Sequence, residues 1–526
     1  MNASAASTKR LVALHGWSAT VLAVLLYVVM LTGTIVVFDN EITRWSEGRT
    51  GLVNALDGPV DVHIRRLAEQ VPDDLEDDVI VREGRGGNLS VFFGANRVLE
   101  SGESGLFGHS FLIDPRSGTL HQAKVGFFAD IIADRPEYAL SNFLVDLHVR
   151  LHVPGRLGLY MTGILGVIML IAAVTGVLIH KHIVRDLFTT ERPGKRIVSF
   201  RDRHTLAGVW SLPFAILLSF TGAFLSFAVS LGLPVVALVA FGGDQDKALE
   251  TVMGSHAIVD PTPARMADLQ QIISDAQGRA NMPIGGLTIH HYGRADAIVE
   301  TAHSAVSSAL RGKTFEYSAS TGEFLREVRL VGTDHSAGST LAELMTPLHF
   351  GNFAGLTSRL VWAALGAAMT YTIISGMQLW LRRRQDDPIW RAGDRVLTTV
   401  AWGLPLAIVG TAYVFLLTYL ADDPIYWTPR AFVVICVLII LIGFLTRKLS
   451  NQIISRYYCG SLGIGLLVLP FFRLQTGGLS WGEAVLWRGH DVLLIDTFCI
   501  LMGIVFAVSA QRSYATRLQS HQKSQA

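Results

Sequence analysis

Eight apolar runs in this 526-residue chain are long enough to cross a lipid hydrocarbon core, and that restricts the molecule it can become. A core of about 30 Å needs roughly 20 helical residues, because every backbone N–H and C=O inside it must be satisfied within the protein. The runs lie near 11–38, 156–180, 206–229, 358–381, 396–420, 430–446, 456–473 and 491–510, with the seventh giving the weakest signal. Half of all residues are hydrophobic, only 17% are charged and the mean hydropathy is +0.40, against roughly 25% charged in soluble domains. The expected fold class is a polytopic α-helical membrane protein of about eight transmembrane helices.

Charge orients it. Lys plus Arg number 44 and Asp plus Glu 43, so no overall field attracts nucleic acid. The loop after the second run carries Lys181, Arg185, Arg192, Lys195, Arg196, Arg201 and Arg203 against Asp186, Glu191 and Asp202. Arg382-Arg383-Arg384 and Arg447-Lys448 fall on the same side when eight helices are counted. The positive-inside rule then makes both termini cytoplasmic and places the large loops outside. The first run follows Lys9-Arg10 as a signal peptide would, but it continues into Phe38-Asp39-Asn40-Glu41 without a small-residue cleavage site and reads as an uncleaved anchor.

The implied organisation is transmembrane helix 1 in 1–39, an outer domain in 40–145, helix 2 in 146–181, a cytoplasmic loop in 182–203, helix 3 in 204–241, a second outer domain in 242–345, helix 4 in 346–385 and a four-helix membrane extension in 386–526. Each outer segment mixes a helical stretch with short alternating runs and a strand–turn–strand signal, Asp114-Pro115-Arg116-Ser117-Gly118 in one and Ser320-Thr321-Gly322-Glu323 in the other. Two small α+β domains of related design are expected. Cys436, Cys459 and Cys499 form no C-x-x-C pair, and no nucleotide-binding glycine motif is present. Thiolate metal sites, covalently attached haem and a resident NAD, FAD or ATP site are thereby excluded.

The chemistry lies in an internal repeat. His15 precedes Gly33 by 18 residues and His204 precedes Gly222 by 18; Leu147-His148 precedes Gly176 by 28 and Leu348-His349 precedes Gly376 by 27. Eighteen residues are five helical turns, so Gly33 shares a face with His15 roughly 27 Å further along the axis. Helices 1 and 3 run outward and helices 2 and 4 inward. One histidine pair, His15 and His204, therefore belongs at the cytoplasmic end of a four-helix bundle, beside Gly176 and Gly376. The other, His148 and His349, belongs at the outer end, beside Gly33 and Gly222.

Paired imidazoles with small residues where another helix passes a flat porphyrin fit bis-histidine ligation of haem b, two haems being expected. The competing reading is that each histidine is an interfacial polar residue and each glycine a close-packing position. Four of each in a two-fold register favour haem. His152, four residues after His148, is the alternative outer ligand, and His180 at the end of helix 2 an alternative inner one. Arg156 and Arg359 open helices 2 and 4 in matching places, suited to haem propionates or to lipid headgroups. Trp17, Trp210 and Trp380 read as an interfacial belt.

Leu14-His15-Gly16-Trp17 with Thr32-Gly33, Leu147-His148 leading to Gly163 and Thr175-Gly176, Arg203-His204 through Gly208-Val209-Trp210 to Thr221-Gly222, and Leu348-His349-Phe350-Gly351 through Ser375-Gly376 form an ordered set. Over about residues 10–385 it resembles the PepSY-associated transmembrane family, the iron-regulated membrane proteins of bacteria, and the outer segments are similar to PepSY domains. The resemblance implies an inner-membrane protein associated with siderophore uptake, in a family whose members include di-haem ferric-siderophore reductases. By position, His15 and His204 would hold the cytoplasmic-side haem and His148 and His349 the periplasmic-side haem. The extension 386–526 departs from the pattern and carries no intramembrane histidine.

The function expected is that of a haem-dependent oxidoreductase passing electrons from a quinol or a cytoplasmic reductase to a periplasmic Fe(III)–siderophore. The alternatives are a non-enzymatic PepSY-bearing scaffold or regulatory module, and a transporter of iron complexes. Transport is disfavoured because helices 1–4 lack the charged intramembrane residues that mark ion pathways.

Overall fold

The computed structural model describes residues 5–47, 55–84, 87–98, 104–180, 188, 196–244, 247–248, 259–303, 310, 312–329, 337–421, 423–486 and 489–525. Lys181, Arg185, Asp186, Glu191, Arg192 and Lys195, which carry much of the loop asymmetry, lie outside the described residues.

The first apolar run forms two helices, α1 (Ala5–Val21) and α2 (Ala23–Val36), broken at Leu22. A short α3 (Asp39–Glu47) follows, with Asp39 and Glu41 in its first turn and Arg44 in its last, the charge order a helix dipole favours. Then come α4 (Val60–Ala68), strands β1 (Asp78–Glu83), β2 (Leu89–Val98), β3 (Ser104–Ile113) and β4 (Leu120–Phe127), and helices α5 (Phe128–Ala133), α6 (Ala139–Arg150) and α7 (Arg156–Ile179). The second half repeats the plan with α8 (Arg196–Phe227), α9 (Leu233–Phe241), α10 (Leu269–Ala280), strands β5 (Ile284–His290), β6 (Ile298–His303), β7 (Lys313–Ser318) and β8 (Phe324–Val328), α11 (Ala337–Phe350) and α12 (Gly355–Arg382). The extension is α13 (Pro388–Tyr419), α14 (Pro424–Leu445), α15 (Asn451–Gln475), a short α16 (Trp481–Leu486) and α17 (His490–Gln525). Among the described residues seven helices are long and apolar enough to cross a membrane, and the bent α1–α2 pair makes eight if it is one span. The chain is a polytopic membrane protein.

Three boundaries differ from those expected. His148 and His349 do not sit at the ends of helices 2 and 4 but on the separate short helices α6 and α11. Helix α6 stops because Leu151 and His152 take the left-handed conformation (φ 54° and 55°), and α11 because Gly351 does (φ 68°). Helix α8 begins at Arg196, since no Gly or Pro interrupts residues 196–204, and His204 therefore lies inside the helix instead of at its head.

The two outer segments, expected as separate domains, build one antiparallel sheet in the order β4-β3-β2-β1-β5-β6-β7-β8. The seam is the β1–β5 pair, with Asp78 opposite His290 and Val81 opposite Leu287. Val79 and Val81 of β1 and Leu287 and Ile289 of β5 point to one face, where α4 and α10 complete a single core. Pairing these edges merges two half-cores and satisfies backbone groups that separate domains would leave at open edges.

At the seam His290 Nδ1 lies 2.7 Å from Asp78 Oδ1. That hydrogen bond, opposed by burial, raises the imidazole pKa above its ordinary 6.5. A raised folded-state value adds stability that is complete below the unfolded value and is lost as pH rises through the folded one. The melting-temperature difference between wild type and His290→Gln should therefore be widest in acid and close at alkaline pH. A difference constant across pH would refute the assignment.

Candidate functional site: two histidine pairs in a four-helix ring

Helix α1 packs on α7, α7 on α8, α8 on α12 and α12 on α2, closing a ring. At the end remote from the sheet, His15 of α1 faces His204 of α8 with ring centroids 6.3 Å apart. At the sheet end, His148 of α6 faces His349 of α11 at 6.2 Å. Between the pairs lies an apolar layer of Met30, Phe214, Ala215 and Met369, with Phe214 edge-on to Trp362 at 5.0 Å.

The partners of the rings fix their tautomers. His15 Nδ1 lies 2.9 Å from the Ala172 carbonyl, His148 Nδ1 2.9 Å from that of Val29, and His204 Nδ1 3.0 Å from that of Thr372. A carbonyl only accepts, so these three nitrogens carry the proton. His349 Nδ1 lies 3.0 Å from Thr221 Oγ1. That hydroxyl donates to the Leu217 carbonyl at 2.8 Å, so it accepts from the imidazole. Among the described residues no hydrogen bond engages Nε2 of any of the four. Each ring thus keeps its Nε2 lone pair, the arrangement typical of metal-ligating histidine, whose other nitrogen donates to a carbonyl or similar acceptor.

The four glycines explain how the rings reach those partners. An added Cβ would stand 2.8 Å from the His148 ring at Gly33, 3.0 Å from His349 at Gly222, 3.0 Å from His204 at Gly376 and 3.6 Å from His15 at Gly176. In a helix a side chain leans toward the N-terminus and covers the preceding turn. Val29, Ala172 and Thr372 each lie four residues before one of these glycines, so the missing side chain uncovers the carbonyl that the imidazole uses. These glycines accordingly face imidazole rings. The residue before each glycine, Thr32, Thr175, Thr221 or Ser375, is buried and returns its hydroxyl to its own helix.

The other candidates separate. His152 is turned away from His349: its Nδ1 lies 2.8 Å from Asp146 Oδ2 and its ring stacks on Phe143 at 4.7 Å. His180 ends α7 within electrostatic range of His15 and His204. Arg359 forms an ion pair with Glu41, itself only 4% exposed. Arg156 is exposed, and among the described residues it has no such partner. Register accounts for the asymmetry: the 189-residue spacing of His15 and His204 puts Ser230 where the first half has Glu41. At the remote end Trp17 packs edge-on against Trp380 at 5.0 Å, and the Arg384 guanidinium lies 3.4 Å over the Trp380 ring.

Sequence reasoning missed a charged centre in the extension. Arg473 of α15 and Asp496 of α17, 1% and 2% exposed, pair at 2.7 Å. Trp45 Nε1 donates to Asp496 Oδ1 at 2.7 Å and Trp481 Nε1 to Oδ2 at 2.8 Å. The available signal was an Arg and an Asp inside apolar runs, each costly in a membrane unless paired. Removing one partner strands a buried charge, so Arg473→Ala should lose about 3–5 kcal/mol in detergent unfolding. A loss below about 1 kcal/mol, the range of exposed pairs, would show that the site is wet.

The fold and these pairs define a polytopic α-helical membrane protein whose two outer segments share one sheet. The model of the PepSY-associated TM region matches residues 12–383, and the chain belongs to that family. The uncharacterized protein PA4219 of Pseudomonas aeruginosa is 29% identical over 313 residues, covering 56% of this chain and 77% of its own length. Helices α13–α17 lie beyond the matched family region.

Proposed function

We propose that this chain is a di-haem b oxidoreductase of the bacterial inner membrane. One haem would be held by His15 and His204 and the other by His148 and His349, with an Fe(III)–siderophore as electron acceptor on the periplasmic, sheet-bearing side. Both termini would then be cytoplasmic, and a quinol or a cytoplasmic reductase would supply electrons at the His15–His204 end.

The observation that carries the reading is the geometry of the pairs. Two metal–imidazole bonds of about 2 Å, with roughly 1 Å from each ring nitrogen to its ring centre, place bis-imidazole centroids about 6 Å apart. The pairs stand at 6.3 and 6.2 Å, every ring with Nδ1 occupied as donor and Nε2 open. The residues present therefore fit the group. Haem, when bound, supplies one-electron redox chemistry at each pair. The histidines would hold it, the Ala172, Val29 and Thr372 carbonyls and the Thr221 hydroxyl behind them orient the rings and raise their basicity, and the apolar layer around Met30, Phe214 and Met369 keeps water from the space between. Arg156, exposed and without an acidic partner among the described residues, is suited to a propionate, while Arg359 would have to share with Glu41.

The test is a dithionite-reduced minus oxidised absorption spectrum of the detergent-purified protein, with pyridine haemochrome quantification. About two low-spin b haems per chain are expected. A colourless protein from haem-replete cells would overturn the reading and leave the PepSY-bearing scaffold or the transporter to pursue.

A further inference from the structure

Helix α3 reaches the helix that carries His148 and the helix that follows His349. Its Thr43 donates to Ser141 Oγ at 2.7 Å, and Ser141 lies on α6 seven residues, two helical turns, before His148. Its Glu41 pairs with Arg359, the fifth residue of α12, after the short loop that follows His349. One nine-residue helix thus joins the supports of both rings. Alone, so short a helix is marginal. Here it is fixed from the other side by the extension: Trp45 donates to the buried Asp496, and Arg44 Nη1 lies 3.0 Å from Asp491 Oδ2, both acids on α17. Side chains of the extension and the first half also share a core that includes Trp45, Leu147, Phe415 and Cys499.

The acceptor atoms of Asp496 are filled by Arg473, Trp45 and Trp481, so this carboxylate has nothing left to offer a ligand or a travelling proton. Its part is placement. At the remote pair the extension makes a ring contact in place of hydrogen bonds: Trp390 of α13 lies edge-on to Trp380 at 6.3 Å, and Trp380 covers Gly16 beside His15.

We propose that the C-terminal extension sets the sheet-end haem site, with Asp496 and Trp45 as positioning residues that hold the His148–His349 pair through helix α3. This rests on the di-haem reading above. The extension is then a built-in adjuster of one of two redox centres, acting on the site that meets the acceptor.

The experiment uses full-length protein and redox titration followed by absorption. In a His15→Ala background, which keeps only the sheet-end haem, Trp45→Phe should shift the midpoint potential and alter the reduced spectrum, because the ring remains and only the N–H donor is lost. In a His349→Ala background, which keeps only the remote haem, the same substitution should change neither. Asp496→Asn, retaining shape without charge, should repeat the pattern; if it fails to fold, Trp45→Phe decides alone. No shift in either background, or an equal shift in both, would overturn the proposal while leaving two haems in place. Absence of haem from the wild type would instead sink the functional reading, and the proposal with it.

Discussion

Under the proposed di-haem assignment, replacing His349 by alanine should leave one haem in place of two. His349 and His148 face each other with Nε2 of both open. The closest histidine in sequence, His152, is bound to Asp146 and stacked on Phe143, so it cannot swing in without breaking both contacts. The pyridine haemochrome count should fall from about two to about one per chain in His349→Ala and His148→Ala. His15→Ala and His204→Ala should show the same fall, through loss of the other haem. A variant joining His15→Ala to His349→Ala should be colourless. Retention of two haems in all four single variants would remove the pairs from the function altogether.

The second large effect concerns glycines that differ only in clearance. Gly33→Ala puts a methyl group 2.8 Å from the His148 ring, while Gly176→Ala puts one 3.6 Å from His15, an ordinary contact. The first substitution must move the imidazole off the Val29 carbonyl or push the helices apart, a cost of about 1–3 kcal/mol. It should also displace the nitrogen that would hold iron. Gly33→Ala should therefore lose the sheet-end haem or convert its low-spin spectrum, while Gly176→Ala stays close to wild type in both haem content and melting temperature. Equal tolerance of the two would mean that the glycines serve general helix packing and not the rings.

Much of this arrangement could be read from the residues. Hydropathy located the membrane helices, because length and apolarity are local properties. The 18-residue spacing of His15 to Gly33 and of His204 to Gly222 carried enough regularity to pair four histidines with four glycines. Other features depend on what local pattern does not contain. The stops that put His148 and His349 on their own helices come from left-handed backbone, in one case at Leu151, a residue type that gives no warning of it. The glycines suggested room for a flat cofactor, whereas the structure turns them toward rings and carbonyls, a relation between helices far apart in sequence. The fusion of the outer segments depends on two edges more than 200 residues apart, and Asp496 took on meaning only with Trp45 and Arg473 around it.

That fusion imposes an order on biogenesis. Strand β1 finds one neighbour at once in β2, but its other edge waits for β5, with Asp78 and His290 separated by 212 positions and two membrane helices. At about 5–20 residues per second the ribosome needs on the order of 10–40 s to supply the partner. Throughout that interval the emerging first half presents a bare strand edge, the surface most prone to pair with a stranger. Arrival of the second half is thus also a protective event for the first, and a translation pause or truncation between the two would be felt first as aggregation.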